Sequence, residues 1–309
     1  MKFKPLLLSI LFCLPLSLEG TMNAEGIEGK SKFSITQSNE SVEGQINLLQ
    51  EQATREENTG QYQKALLLRL EILKLAEANL GPRHESTALA LSNLGNLYIN
   101  LAIHNKAEPL LKRALKIYEN LFGRDFVGNA FPLNNLGFLY QDQGLYKKAE
   151  PLYKRAIKIR ENELGADHPD TLVSTSNLAT LYQDQGLYKK AVHLMQRTLE
   201  IQEKISGSNH QDLAIYINNL ALIYHDQGLY KKAESLYRRS LNIKEKTFGI
   251  DHPNTANTLG NLGLLYKEQR LFKEAEPLLE RSLKISETIF GSSHPQTGLA
   301  LNNLALLYT

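Results

Sequence analysis

The amino-acid sequence predicts an all-α protein, a right-handed superhelical solenoid of antiparallel helix pairs. Glycines recur every 42 residues with no insertion or deletion between them, which is typical of repeat architectures. Each 42-residue unit holds two stretches with apolar residues at helical spacing, and no useful length of chain alternates with the period of a strand. The recurring glycines are Gly81, Gly123, Gly165, Gly207, Gly249 and Gly291.

The composition excludes several classes of function. The 309 residues include 35 basic and 33 acidic side chains, so no strong charge imbalance attracts nucleic acid or an anionic membrane. The only cysteine, Cys13, excludes a disulfide framework and, in the rest of the chain, a cysteine-based metal site. We therefore expect no nucleic-acid partner, no metal and no cofactor.

The N-terminus has the layout of a secretory signal peptide, which we place at residues 1–20. Lys2 and Lys4 precede an uncharged apolar run at residues 5–18, which is too short to cross a bilayer. An amphipathic or disordered N-terminus is the alternative. Residues 21–42 are polar and aperiodic and predict a linker. The protein is expected to be exported, periplasmic or extracellular, if the signal is cleaved, and otherwise cytoplasmic.

The unit at residues 123–164 illustrates how each helix pair is specified. Leu133 and Tyr140 are spaced to lie on one helical face. Gly144 can adopt a positive φ and is expected to end this first helix. Helical spacing resumes at Ala149 and predicts the second helix of the pair.

The helix pairs are expected to stack, because no pair can bury its apolar stripe alone. Small residues at Gly137, Ala179 and the equivalent Ala221 and Gly263 would let helices approach closely. The last unit supplies only one helix, so Leu304 and Leu307 are expected to lack a packing partner. The predicted units are a degenerate first repeat at 43–80 and an array at 81–309, divided into 81–122, 123–164, 165–206, 207–248, 249–290 and a half unit at 291–309.

The stretch LNNLGFLYQDQGLYKKAEPLYKRAIKIREN resembles the tetratricopeptide repeat. The 42-residue period and the linker GADHPDT are similar to the kinesin-light-chain type of repeat, which also occurs in bacterial proteins with many units. The resemblance covers residues 43–309 and implies a scaffold whose concave surface holds a peptide or protein, with no reaction. The matching positions are Leu136, Gly137, Tyr140, Gly144, Tyr146, Ala149, Tyr153 and Ala156.

The resemblance implies that the first helix of each pair lines this groove and that an asparagine pair in it contacts the ligand. An amide offers both a donor and an acceptor, so it can bind the backbone of an extended peptide. The alternative is that the asparagines bridge neighbouring helices or persist through recent duplication. The predicted groove residues are Asn93, Asn134, Asn135, Phe138, Asp142, Asn177, Asp184, Asn218, Asn219, Leu222, Asp226, Asn261 and Asn303.

The charges of the predicted groove favour a neutral or basic partner segment. Acids recur beside the groove positions, and Gln141 and Asp142 are expected to point into it. Lysine pairs such as Lys147 and Lys148 begin the second helices and predict a solvated outer face. Family members that hold a carboxylate use a basic residue beside the asparagine, and this chain has none there.

The histidines recur at one position of the 42-residue repeat, a set that we call the histidine column, but they do not predict catalysis. Equivalent residues of neighbouring units lie about 10 Å apart, which is too far to share a zinc ion. A role at the start of each first helix is expected instead. His225 and Asp226 lack a recurring third partner, and we predict no enzymatic activity. The histidine column comprises His84, His168, His210, His252 and His294.

Two interpretations of the function remain open at this point. The first is a non-enzymatic interaction scaffold that binds an extended peptide or partner protein in the concave groove. The second is the sensing or recruitment half of a larger protein whose effector domain lies outside this chain. Self-association through the C-terminal edge of the array is a further expectation.

Overall fold

The computed structural model describes residues 33–208, 210–292 and 294–308. The predicted signal peptide at residues 1–20 lies outside these residues, as does the part of the predicted linker at residues 21–32. Over the described residues the chain forms helices joined by short turns, with no strand, which confirms the all-α prediction.

Thirteen α-helices follow one another within the described ranges, as six consecutive antiparallel pairs and one last helix. A short 3₁₀ turn at Val127–Asn129 precedes α5. The helices are α1 Phe33–Asn58, α2 Tyr62–Asn79, α3 Glu85–Asn100, α4 His104–Phe122, α5 Ala130–Asp142, α6 Tyr146–Leu164, α7 Pro169–Asp184, α8 Tyr188–Ser206, α9 Leu213–Asp226, α10 Tyr230–Phe248, α11 Pro253–Glu268, α12 Phe272–Phe290 and α13 Pro295–Ala305.

The first helix extends into the segment predicted as a linker. Helix α1 begins at Phe33, whereas the sequence predicts polar linker up to residue 42. Ile46 and Ala53 of this helix are buried against Ile72 and Ala76 of α2. Once this packed part is helical, each added turn needs no new nucleus, so a helix can run on into a polar segment.

The curvature of the array follows from which helices touch. The first helices of successive units, α3, α5, α7, α9, α11 and α13, contact each other directly. The backbones of the second helices do not come as close to one another, as the pairs α4 and α6 or α6 and α8 illustrate among the described residues. Because the first helices are closer together, they line the concave side, and the second helices lie on the convex side.

Small residues allow the close approach of the two helices within a unit, as predicted. A Cβ atom built on Gly137 would lie 2.9 Å from the ring of Tyr153. A Cβ on Gly263 would lie 2.7 Å from the side chain of Leu279. A larger residue at either position would force the two helices of its pair apart.

Each turn between the two helices of a unit contains one residue in the left-handed region. Gly144 has φ 71°, which confirms its predicted role. Ala102 and Arg270 hold the equivalent positions with φ 57° and 62°. These two residues adopt a conformation that favours glycine, so the stacking of the units imposes it.

The histidine column caps the first helices, as predicted. Nδ1 of His168 accepts a hydrogen bond from the backbone N–H of Asp170 at 3.2 Å, and the four other histidines make the same bond. Phe126 replaces the histidine in one unit. There the side-chain amide of Asn129 donates to the carbonyls of Gly123 and Arg124.

The prediction for the last helix needs a correction. Leu304 and Leu307 were expected to lack a packing partner, but both are half-buried against the cluster that contains Leu265 and Leu279. The short α13 therefore covers the edge of α11 and α12. Leu301, on another face of α13, remains 55% exposed.

The two ends of the array touch. The ring of Tyr62, at the start of α2, stacks on the ring of His294 before α13, with centroids 5.4 Å apart. Gly60 lies so close to this imidazole that an added Cβ would overlap it. Phe290 stacks on His294 at 4.5 Å. The contact joins the first helix pair to the last unit and closes the solenoid into a ring.

Candidate functional site

The predicted groove residues lie on the first helices, which form the concave side. The second asparagine of each pair is partly exposed in three units, at Asn93, Asn219 and Asn261. It is buried at the equivalent positions Asn135 and Asn177, and at Asn303 of α13. The inner face is therefore more tightly packed at α5, α7 and α13 than at α3, α9 and α11.

Two asparagines at the first position of the pair, Asn134 and Asn218, connect neighbouring units. Asn134 of α5 donates from Nδ2 to Ser174 Oγ of α7 at 2.9 Å. Asn218 of α9 accepts at Oδ1 from Thr258 Oγ1 of α11 at 3.2 Å. Both contacts agree with the alternative interpretation that these asparagines bridge helices.

The second asparagines combine a bridging contact with unused polar atoms. Asn219 Nδ2 lies 3.4 Å from Ser176 Oγ, and Asn261 Nδ2 lies 3.4 Å from Asn218 Oδ1. In the buried members, Asn135 Nδ2 and Asn177 Oδ1 have no hydrogen-bond partner among the described residues. The amides that solvent can reach on the concave side are therefore those of Asn93, Asn219 and Asn261, whereas the unpartnered atoms of Asn135 and Asn177 are buried.

The acids at the ends of the first helices form a ladder between units. Each acid receives a contact from the preceding unit, at a sequence separation close to the repeat length. Gln141 Nε2 donates to Asp184 Oδ2 at 2.7 Å, and Gln183 Nε2 donates to Asp226 Oδ2 at 2.8 Å. The ends of the ladder use histidine, with His104 Nε2 2.9 Å from Asp142 Oδ2 and His225 Nε2 3.0 Å from Glu268 Oε2.

This ladder corrects one prediction from the sequence and shows the partner of His225. Gln141 was expected to point into the groove, but it is buried and its Oε1 accepts a hydrogen bond from Tyr153. His225 pairs with Glu268 of the next unit instead of its neighbour Asp226. The hydrogen bond from His225 also holds the pKa of the Glu268 carboxyl below its usual range. The sequence contains a signal for this ladder, because two neighbouring positions recur every 42 residues. One holds an amide or imidazole side chain in several units, and the other holds an acid.

The four acids of the ladder remain exposed although each is held by its neighbour. The carboxylates are therefore fixed in position while facing solvent. Fixed charges lose less side-chain entropy when a partner binds than free ones do. The acids of the ladder are Asp142, Asp184, Asp226 and Glu268.

The apolar groove positions are largely part of the core. Leu222 and Leu264 are buried, and Thr180 is 7% exposed and donates to the carbonyl of Ser176. Phe138 is half-buried and packs against two core clusters. These positions fill the space between units, so they offer little surface to a ligand.

The lysine pairs on the second helices face outward, with one refinement. Both residues of the pair are exposed, as expected. The second lysine nevertheless lies over a tyrosine ring of the first helix, with Lys148 Nζ 5.3 Å from the centroid of Tyr140. Lys190 and Lys232 repeat this cation–π contact. The described residues contain no group of His, Cys, Asp or Glu arranged to hold a metal ion.

Stacked helix pairs with a concave side of amides and fixed acids define an all-α repeat scaffold. The model of the Tetratricopeptide repeat family matches residues 48–120, 130–204, 174–246 and 211–288. The chain belongs to the tetratricopeptide repeat family, whose members generally act as non-enzymatic scaffolds for protein–protein interaction.

Solved structures with the same fold include kinesin light chain-like proteins. A kinesin light chain of Podosopora anserina with nearly identical TPR-like repeats has 25% identity and a TM-score of 0.53, covering 66% of this chain and 97% of its own. BtubC (BKLC) from P. vanneervenii has 22% identity and a TM-score of 0.56, covering 82% and 94%. No curated protein matches the chain.

A third structure with this fold is a signal-transduction ATPase with numerous domains from Pyrococcus horikoshii, which has a tetratricopeptide repeat sensor. It has 17% identity and a TM-score of 0.59, and the match covers 86% of this chain and 38% of that one.

None of the described helices combines the length and the apolar character needed to cross a membrane.

Proposed function

We propose that the chain is a non-enzymatic scaffold that binds an extended, neutral or basic segment of a partner protein along its concave side. The observation that carries this proposal is the row of four exposed carboxylates held in place by the preceding units. Cationic side chains of a partner would pair with these acids. The partly exposed amides of Asn93, Asn219 and Asn261 would form hydrogen bonds with its backbone.

The proposal is tested by neutralising the acids without breaking the ladder. In the triple variant D142N, D184N and D226N, each side chain keeps an oxygen that can accept the bond from the preceding unit. We expect binding of a pool of acetylated 12-residue peptides with three lysines each to weaken about tenfold, since an exposed ion pair contributes roughly 0.5 kcal/mol. Fluorescence anisotropy at low and high salt measures this loss.

A matched control comes from Asp167, which is exposed in the turn before α7 and is not part of the ladder. D167N removes one acid of the same type and should leave peptide affinity unchanged. Equal affinity of the native chain and the triple variant would show that the concave acids do not bind the partner.

Several finer parts of the proposal rest on the sequence and on individual contacts. Export depends on the N-terminal signal, and without its cleavage the protein would be cytoplasmic. Self-association would use the exposed Leu301 at the C-terminal edge.

In the alternative function, the array is the sensing half of a larger protein. The sensor of the Pyrococcus horikoshii ATPase has the same fold and offers a precedent for this arrangement.

A further inference from the structure

The convex side of the array is held together by a repeated clamp between second helices. In four units an arginine reaches back to a glutamate of the preceding second helix. The same arginine donates to a backbone carbonyl in the turn between the two units. The clamps are Arg113 with Glu77 and Pro82, Arg155 with Glu119 and Arg124, Arg239 with Glu203 and Ser208, and Arg281 with Glu245 and Ile250.

The clamp is open at one boundary, between α6 and α8. Arg197 and Glu161 stand in the arginine and glutamate columns, but both side chains are exposed, whereas the clamped residues are half-buried. Neither side chain has an ion pair or hydrogen bond within the described part of the chain. The convex seam between α6 and α8, which we call the open seam, therefore differs from the seams on either side.

The sequence explains why this seam is open. At one core position of the first helix, Leu133, Ile217 and Leu259 are fully buried, but α7 has the smaller, half-buried Thr175. Three residues earlier, α3, α5, α9 and α11 have alanine, and α7 has Leu172. The large and small side chains are thus exchanged in α7, so its packing against α6 and α8 differs from that of its neighbours.

A cavity of about 230 Å³ occupies the open seam. Leu172, Leu194 and Ile201 contribute its apolar surface, and Lys158 and Arg197 contribute positive charge at its rim. The hydroxyl of Thr198 also borders the cavity and is buried with no hydrogen-bond partner among the described residues. In the equivalent position of the next units, Ser240 and Ser282 donate to carbonyls of the first helix.

The size and charge of the cavity restrict what can bind there. A volume of 230 Å³ is below the range of about 300–1,000 Å³ for drug-sized ligands, and it suits a single side chain. Lys158 and Arg197 have no acid partner among the described residues, and Glu161 alone opposes them. An aliphatic side chain flanked by acidic residues would fill the cavity and neutralise its rim.

We propose that the open seam is a second binding site, which takes an acidic segment of a partner protein anchored by one aliphatic side chain. This site lies on the opposite side of the array from the concave acids and prefers the opposite charge. One molecule could therefore hold two different segments at once. The proposal does not depend on the function proposed for the concave side.

The test uses three pools of fluorescein-labelled, acetylated nine-residue peptides. The first has a central leucine flanked by Asp and Glu, the second has serine in place of leucine, and the third has lysine in place of the acids. We expect the native chain to bind the first pool at least about tenfold more tightly than the other two. The second pool lacks the side chain that fills the cavity, and the third lacks the acids that pair with the two basic residues of the rim.

Two variants of the open seam should remove this preference. T175L fills the cavity with the residue found at equivalent positions, and R197E reverses the charge of its rim. Each should weaken binding of the acidic pool about tenfold. K204E makes the same charge change at an exposed position of the same helix outside the cavity and should have no effect. The triple variant D142N, D184N and D226N should also bind the acidic pool normally, which separates this site from the concave side.

Specific results of these binding measurements would contradict the proposed second site. If the native chain binds no pool, or all three pools equally, the proposal is wrong. It is also wrong if R197E and T175L bind the acidic pool as the native chain does. If T175L melts at a lower temperature than the native chain, R197E alone decides, because its side chain is on the surface and the fold does not depend on it.

Discussion

Lys244 is a buried charge without a described acidic partner. Its side chain lies in α10 with 7% of the residue exposed, and Nζ donates to Thr258 Oγ1 at 2.8 Å. Burial lowers the pKa of this ammonium from 10.5 to about 8. Thr258 in turn donates to Asn218 on the concave side. The charge therefore belongs to a polar connection between units that is costly to desolvate.

The lowered pKa of Lys244 predicts how stability depends on pH. Between pH 8 and 10.5 the unfolded chain binds the proton and the folded chain does not, so the free energy of unfolding should rise with pH in this window. K244M should stabilise the protein at pH 7 by about 2 kcal/mol and abolish the rise. Urea unfolding at pH 7, 8 and 10 measures both effects. K246M, at an exposed position of the same helix, is the control, and an equal change in it would contradict the prediction.

At the residue scale, local roles were predictable and contacts between units were not. Gly144 and His168 act on backbone within a few residues, so their spacing in the sequence was enough to assign a turn and a helix cap. Gln141 instead bonds to Asp184, and the choice of that partner depends on how two units pack. A sequence shows that both columns recur, but not the distance between their side chains.

At the element scale, the turns within units differ in the strain of their left-handed residue. Ala102 and Arg270 have φ 57° and 62°, where glycine stands in the other units. A102G and R270G should each raise the free energy of unfolding by about 0.5–1 kcal/mol, because glycine removes a steric cost that exceeds its loss of chain entropy. The converse variant G144A should lower it by a similar amount. Urea unfolding monitored by circular dichroism measures these changes, and destabilisation by A102G would contradict this account.

The sequence predicted the order and positions of the helices better than it predicted how the helices pack. Helix pairs and their turns follow from short-range periodicity, and the structure has both. The start of α1 at Phe33 was missed because its first residues carry no apolar stripe of their own. The open seam was also missed, since the exchange of Leu172 and Thr175 has meaning only when α6 and α8 are known to flank α7.

At the scale of the whole molecule, the solenoid is held by two kinds of contact. Neighbouring units connect through the ladder of acids, the arginine clamps and hydrogen bonds from tyrosine, such as Tyr182 to Glu150 at 2.9 Å. Among the described residues, the two ends connect through the turn at Gly60 and the stack of Tyr62 on His294. His294 is the most buried of the capping histidines because this contact covers it. The ring should therefore open at this point before any unit unfolds.

The end-to-end contact predicts a measurable change in shape. Y62A removes a stacked pair that contributes about 0.5–1.5 kcal/mol. The mean distance between the two ends should therefore increase by about 10 Å or more, the spacing of one helix layer, and the distribution of distances should become broader. Spin labels on N58C and S292C, in a C13S background, report this distance by pulsed electron resonance. Y146A alters the equivalent tyrosine of α6 in the middle of the array and should leave the distribution narrow. An unchanged distribution in Y62A would mean that the packing angle between units, and not the closing contact, sets the curvature of the ring.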